Sequence, residues 1–116
     1  MQAETIKKIS GDDFQRSVFG APEPVVVDFY ADWCPPCKMV SPILEGLSEE
    51  YRGKVSFVKV NVDEEAELAS QFGIMSIPTV VFFAKGKVSD AVIGAVPATT
   101  YREKLEQAIR SSTTVG

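Results

Sequence analysis

An apolar segment that runs directly into a closely spaced cysteine pair constrains the fold more than any other feature of the chain. Residues 25–30 are Val-Val-Val-Asp-Phe-Tyr, and Cys34 and Cys37 follow with two prolines between them. Strands covered on both faces are almost continuously apolar, whereas the residues after Cys34 have helical spacing. A C-x-x-C motif between a strand and a helix is typical of a thiol–disulfide redox site.

The position of the motif predicts different roles for its two cysteines. A cysteine at a helix N-terminus has its thiolate stabilised by the helix dipole and by free backbone N–H groups. Cys34 precedes the predicted helix, and neither Pro35 nor Pro36 has an N–H, so we expect the N–H of Cys37 to meet the Cys34 sulfur. We therefore predict that Cys34 is the nucleophile and Cys37 the resolving thiol. The alternative is a pair of inert, buried thiols.

Other uses of the cysteine pair fit the composition poorly. A disulfide between residues three positions apart closes almost no loop, so it would add little chain-entropy stabilisation. A structural zinc site needs about four ligands, and the chain has two cysteines and no histidine. A net charge of −4 does not suggest a nucleic-acid partner. We expect neither a bound metal nor nucleic-acid binding.

The length and the termini lead to expectations about organisation and location. The 116 residues suit one domain over 1–116, with frayed termini at 1–4 and 111–116. The N-terminus lacks the apolar region of a secretory signal, and no apolar run approaches the roughly 20 residues that span a bilayer. We therefore expect a cytoplasmic protein with no membrane segment. Because no long apolar face is evident, we expect a monomer.

Periodicity and turn signals predict an alternating order of elements, βαβαβαββα. Ser10 and Asp13 resemble a capping box that opens the first helix, and 63–65 should cap the third. In the second helix, we expect Met39 to face the core with its apolar neighbours. The predicted strands are 5–9, 25–30, 55–62, 79–84 and 88–93, and the predicted helices are 10–20, 35–51, 63–73 and 98–110.

This order predicts an α/β fold with a central mixed, mostly five-stranded sheet and helices on both faces. Strand–helix–strand successions imply right-handed parallel crossovers, and the final hairpin adds antiparallel strands. Open sheets of this type carry their sites beyond the carboxyl ends of their strands. The Cys34 motif lies there, just after the strand that ends at Tyr30.

The chain closely resembles the thioredoxin family from about residue 5 to residue 110. The resemblance implies the thioredoxin fold and a general protein-disulfide reductase with no bound cofactor. It also implies disulfide-containing target proteins and a donor of the thioredoxin reductase type, which recharges the Cys34–Cys37 disulfide. The matching residues are Asp28-Phe29-Tyr30-Ala31-Asp32-Trp33-Cys34-x-Pro36-Cys37-Lys38, Pro42, Lys59-Val60-Asn61-Val62-Asp63, Ile74-x-Ser76-Ile77-Pro78-Thr79, Gly86 and Gly94.

Asp28 is a charged residue within an apolar strand, which is a rare position for an unpaired carboxylate. Burial raises the pKa of a carboxyl group, and a raised pKa suits a proton acceptor for Cys37. Lys59 is the expected partner, because the resemblance implies that both side chains lie beneath the disulfide. The alternatives are a structural, hydrogen-bonded Asp28 and a surface lysine.

Six residues are predicted to contact the substrate around the Cys34 sulfur. The resemblance implies a cis Ile77–Pro78 bond facing Cys34, with the Ile77 backbone free to pair with an extended substrate. Trp33 is the only tryptophan, and exposed aromatic residues at a site usually contact a partner; its alternative is a half-buried core position. The predicted substrate-binding residues are Trp33, Pro35, Pro36, Ile77, Pro78 and Gly94.

Pro35 departs from the family pattern, in which glycine usually stands at this position. It lacks an N–H, has a restricted φ, and is biased away from the helical region because Pro36 follows it. The change could alter thiolate stabilisation and move the reduction potential in either direction. A disulfide isomerase or oxidase is therefore one alternative, although the absence of a signal argues against it. A non-catalytic binding module is another, although the intact cysteines argue against it.

Overall fold

The structure, a computed structural model, describes residues 6–113. Its strands have the β-branched and aromatic composition expected of a buried sheet, and its longer helices have one apolar face. The strands are β1 (Lys7–Lys8), β2 (Val25–Tyr30), β3 (Ser56–Asn61), β4 (Thr79–Ala84) and β5 (Lys87–Ile93). The helices are α1 (Gly11–Phe14), which continues into a π-helical turn (Gln15–Phe19), α2 (Pro35–Glu50), α3 (Ala66–Gln71) and α4 (Ala98–Thr113).

The strands form one mixed sheet in the order β1-β3-β2-β4-β5. β3 pairs in parallel with both β1 and β2, whereas β4 is antiparallel to β2 and to β5. β2 therefore lies at the centre, and five of its six residues are buried. This arrangement confirms the predicted α/β class and the thioredoxin fold.

Two apolar layers cover the faces of the sheet, because side chains alternate along each strand. One layer joins Val26, Val80 and Phe82 to the apolar faces of α2 and α4. The opposite layer joins Val25, Val27 and other strand residues to the N-terminal helical segment and α3. The helices on both faces leave the carboxyl end of β2 open for the loop that carries the cysteines.

The first and third helices differ from the sequence prediction. The Ser10 hydroxyl contacts the Asp13 carboxylate at 3.2 Å and makes no cap bond to a backbone N–H. The predicted capping box is therefore not formed. α3 begins at Ala66 rather than at Asp63, because the Asn61 Oδ1 accepts hydrogen bonds from the N–H groups of Asp63 and Glu64. These bonds hold the two residues in a turn.

The prediction that Met39 faces the core is wrong, because its side chain is 67% exposed. α4 extends to Thr113, so residues 111–113 continue the helix instead of fraying. The predicted frayed segments 1–4 and 114–116 lie outside the described residues. Within residues 6–113, no helix is both long and apolar enough to cross a bilayer.

Candidate active site

The two cysteines lie at the start of α2, after the loop that follows β2. Cys34 is the N-cap residue of α2, and it forms a disulfide with Cys37 across a Cα–Cα distance of 5.3 Å. The Cys37 N–H donates to the Cys34 Sγ at 3.2 Å, as the sequence predicts. Because Pro35 and Pro36 have no N–H, the N–H of Cys37 is the first one that α2 offers, and it points at the Cys34 sulfur. This contact favours negative charge on that sulfur.

Pro35 is the first residue of α2, although Pro36 was expected to bias it away from the helical region. Proline is well tolerated at the first helical position, because the N–H that it lacks would have no intrahelical partner there. The turn is closed by a hydrogen bond from the Lys38 N–H to the Cys34 carbonyl at 3.2 Å. The double proline is thus compatible with a regular helix start.

Exposure does not distinguish the two cysteines, since each is 3% exposed. The distinguishing feature is the hydrogen bond that Cys34 receives from the Cys37 N–H. Trp33, Pro35 and Pro36 are exposed beside the disulfide. These three residues therefore form an accessible, largely apolar rim next to the sulfurs.

Trp33 is 66% exposed, so the alternative of a half-buried core residue is wrong. Its indole Nε1 donates to the Asp63 Oδ2 at 2.8 Å. The ring is thus attached to the turn after β3 while most of its surface faces solvent. An exposed ring held by one polar contact is suited to binding a partner.

The loop before β4 forms the other side of the rim. The Ile77–Pro78 bond is cis, as the resemblance implies, and the Cys34 Sγ lies 3.9 Å from the Ile77 carbonyl oxygen. The Gly94 N–H donates to the Pro78 carbonyl at 2.8 Å. This bond places the end of β5 beside the loop. Ile77, Pro78 and Gly94 therefore all lie at the end of the sheet that carries Cys34.

Asp28 is 6% exposed, and its Oδ1 has no hydrogen-bond partner among the residues that the structure describes. Burial raises the pKa of this carboxyl group to about 7, and the positive charge of Lys59 opposes the rise. The two residues are in register on β2 and β3. One of the two carboxylate oxygens is therefore buried without a hydrogen bond among these residues.

A cavity of about 180 Å³ is lined by both Asp28 and Cys37. Lys59 is a half-buried residue that also lines this cavity, and its ammonium lies 5.4 Å from the centroid of the Tyr30 ring, a distance typical of cation–π contacts. The cavity is large enough to hold water. The residues that line it are Asp28, Tyr30, Ala31, Asp32, Cys37, Lys38, Ser41 and Lys59.

Asn61 and Asp63 were not predicted as site residues, although both are in the segment that resembles the family. Asn61 is a buried polar residue at the end of β3, and Asp63 holds the indole of Trp33. A polar residue directly after a buried strand could have indicated a site at this edge. Its contacts, however, depend on the loop after β2 and are not visible in the local sequence.

The sequence model of the thioredoxin family matches residues 5–110. The chain belongs to the thioredoxin family. It is 45% identical over 104 residues to "Thioredoxin M-type, chloroplastic" of Pisum sativum, covering 90% of this chain and 60% of that protein. It is 45% identical to "Thioredoxin 1" of Nostoc sp. and 47% identical to "Thioredoxin" of Synechocystis sp., each over 100 residues, which is 86% of this chain and 94% of either relative.

Membership of the thioredoxin family and the Cys34–Cys37 pair identify a thiol–disulfide oxidoreductase of the protein-disulfide reductase type. Thioredoxins carry no prosthetic group, because the disulfide itself is the redox group. In general, they take electrons from a reductase and pass them to proteins that contain disulfides. Among residues 6–113, no three His, Cys, Asp or Glu side chains are grouped so as to hold a metal ion.

Proposed function

We propose that the chain reduces protein disulfides by two successive exchange steps. The Cys34 thiolate attacks one sulfur of the target disulfide, forms a mixed disulfide, and releases the other target sulfur as a thiolate that takes up a proton. Cys37 then gives its proton to Asp28 and attacks the Cys34 sulfur. This step forms the Cys34–Cys37 disulfide and releases the second target thiol, so two electrons have passed to the target.

The observation that carries this assignment is the hydrogen bond from the Cys37 N–H to the Cys34 Sγ at 3.2 Å. It stabilises negative charge on the sulfur of Cys34, whereas Cys37 lies inside the first turn of the helix. The attacking species in thiol–disulfide exchange is the thiolate. We therefore assign Cys34 as the nucleophile and Cys37 as the resolving thiol.

Asp28 is proposed as the base that accepts the proton of Cys37. Lys59 is proposed to favour the charged form of Asp28. A general base is most effective when its pKa is close to the working pH, and the pKa of Asp28 is raised to about 7 by burial. Asp28 and Cys37 line the same cavity, so water can carry the proton between them. Lys59 lines that cavity as well, and its positive charge favours the carboxylate form.

The target protein is proposed to bind the surface that surrounds the Cys34 sulfur. An extended segment can pair with the backbone of Ile77, which lies beside Cys34, while Trp33, Pro35 and Pro36 contact its side chains. Pro78 and Gly94 hold the opposite side of this surface through their mutual hydrogen bond. Main-chain pairing requires little of the target sequence, which suits a general reductase.

The remaining parts of the proposal concern location and assembly. We place the protein in the cytoplasm, as a monomer formed by a single domain over residues 1–116, with a donor of the thioredoxin reductase type. The pea relative is named as chloroplastic, so a plastid is the competing location. Either location fits a reductase, because neither is one of the oxidising compartments in which protein disulfides mainly persist.

Trapping with serine variants tests the assignment of the two cysteines. Cys37→Ser keeps the nucleophile but cannot complete resolution, so it should accumulate a mixed disulfide with a disulfide-containing protein such as insulin. Cys34→Ser is the matched control and should form far less adduct. Equal trapping by both variants, or stronger trapping by Cys34→Ser, would contradict the assignment. A biological role that survives in the double serine variant would instead support a non-catalytic binding module.

A further inference from the structure

The side chain of Asn61 joins the two loops that flank the redox disulfide. Asn61 ends β3 and is 3% exposed. Its Oδ1 accepts hydrogen bonds from the N–H groups of Asp63 at 2.9 Å and Glu64 at 3.2 Å. Its Nδ2 lies 3.5 Å from the Asp32 Oδ2. One buried amide therefore contacts both the turn after β3 and the loop after β2.

The indole of Trp33 depends on this arrangement for its orientation. Two thirds of the residue is exposed, so packing alone does not fix the ring. Its Nε1 donates to the carboxylate of Asp63 at 2.8 Å, and the backbone of Asp63 is held by Asn61. Trp33 immediately precedes Cys34, so this hydrogen bond restrains the ring of the residue that is the chain neighbour of the proposed nucleophile.

The amide side chain of asparagine suits residue 61 better than a carboxylate would. Asparagine often accepts a hydrogen bond from the backbone two residues further on. Its NH₂ group can at the same time donate to an acid, which here is Asp32. An aspartate at residue 61 could accept but not donate, and it would add a negative charge between Asp32 and Asp63.

We propose that Asn61 is a positioning residue for target recognition. It fixes the turn that presents Asp63, and it thereby holds the Trp33 indole where a target protein meets Cys34. This inference rests on the proposed function, in which Trp33 contacts the target. Asn61 should act on the binding of a large target and not on the exchange chemistry, because its side-chain hydrogen bonds go to the turn after β3, to Asp32 and to Tyr30, and not to the sulfurs.

Steady-state kinetics with insulin as the probe tests the effect on binding. Asn61→Ala and Asp63→Ala should each raise KM roughly two- to tenfold, the range that follows from losing one ordinary hydrogen bond, with kcat changed less than twofold. Reduction of a small disulfide, bis(2-hydroxyethyl) disulfide, should change less than twofold. Glu67→Ala, which removes an exposed carboxylate on α3, is the matched control and should leave KM unchanged.

Two further variants separate positioning from a general loss of structure. Asn61→Ser keeps a short hydroxyl acceptor for the turn, so it should recover part of the KM increase. The double variant Asn61→Ala/Asp63→Ala should have the same KM as Asp63→Ala, because both residues act through the same ring. Additive KM increases would overturn the proposal. If Asn61→Ala does not fold, the kinetic and the fluorescence measurements are made on Asn61→Ser and Asp63→Ala instead.

The fluorescence anisotropy decay of Trp33 tests the positioning step without catalysis, since the chain has a single tryptophan. Faster local motion of the indole in the Asn61 and Asp63 variants is expected. Unchanged motion would contradict the proposed attachment, and faster motion with an unchanged KM would contradict its role in recognition. If the wild-type protein does not reduce insulin, the proposed function fails, whereas the anisotropy result still decides whether Asn61 holds the ring.

Discussion

Buried Asp28 and Cys37, the proposed resolving thiol, line the same cavity, together with Lys38 and Ser41 of α2. Asp28 belongs to the central strand, and burial raises the pKa of its carboxyl group to about 7. A group that exchanges a proton near neutral pH therefore lines the same cavity as the thiol that is proposed to lose one. This relationship links the sheet, the cavity and the proposed second exchange step.

Asp28→Asn should slow the resolution of the mixed disulfide while preserving the fold. General base catalysis contributes roughly 10²–10⁴-fold, so a loss of about tenfold or more is expected near pH 7. Single-turnover measurements between pH 6 and pH 8, in which release of the second target thiol is followed, provide the check. The first step, attack by Cys34, should proceed at its wild-type rate. Unchanged turnover across this pH range would rule out the base role.

Asp28 should also make the folded protein less stable as the pH rises. The carboxyl group ionises with a pKa of about 7 when folded and near the ordinary value of 3.8 when unfolded. Between these values the folded state holds a proton that the unfolded state has lost, so the free energy of unfolding falls as pH rises from about 4 to about 7. The full fall corresponds to roughly 4 kcal/mol.

Urea unfolding of the oxidised protein at pH 4 and pH 8 measures this effect, with Asp28→Asn as the comparison. The asparagine has no such titration, so the stability of the variant relative to the wild type should increase across the interval and level off above about pH 7. Other groups titrate alike in both proteins and cancel in the difference. A difference that is independent of pH would mean that the carboxyl group is not buried as described.

Lys59→Gln should move the pH dependence of resolution to higher pH. The positive charge of Lys59 lowers the pKa of Asp28 against the larger effect of burial, so its removal should raise that pKa further. The expected result is a pH–rate profile displaced upward at the resolution step. Lys54→Gln, which removes an exposed lysine outside the cavity, should leave the profile in place. Equal profiles for Lys59→Gln and the wild type would exclude this electrostatic role.

Trp33→Ala should weaken target binding with little effect on stability. The residue is largely exposed, and exposed substitutions usually change the free energy of unfolding by about 0.5 kcal/mol or less. An increase in KM for insulin is expected, whereas reduction of a small disulfide should be nearly unchanged. Trp33→Phe retains a flat ring and should lose less. A large loss of thermal stability would instead indicate that Trp33 is a core residue.

The fold was predictable because its strongest signals are local. The continuous apolar run of β2 indicates a strand buried on both faces, and the helical spacing after Pro35 indicates α2. The order of the elements then leaves few topologies. The cysteine motif follows the central strand directly, so its place at the open end of the sheet could be predicted as well.

The differences arise where a side-chain hydrogen bond decides the backbone conformation or joins two loops. Asp63 looks like the start of a helix, yet the Asn61 amide holds it in a turn and delays α3 to Ala66. The same amide reaches Asp32 on another loop, which periodicity cannot indicate. Met39 has helical spacing with the core residues, but the residue is 67% exposed.

The reduction potential of the Cys34–Cys37 couple tests the central claim most directly. It can be measured by titration against a dithiol buffer while the fluorescence of Trp33 is followed. A protein-disulfide reductase of the thioredoxin type should have a value near about −270 mV. A value above roughly −200 mV would place the couple with isomerases and oxidants, and it would contradict the proposed role as a reductant.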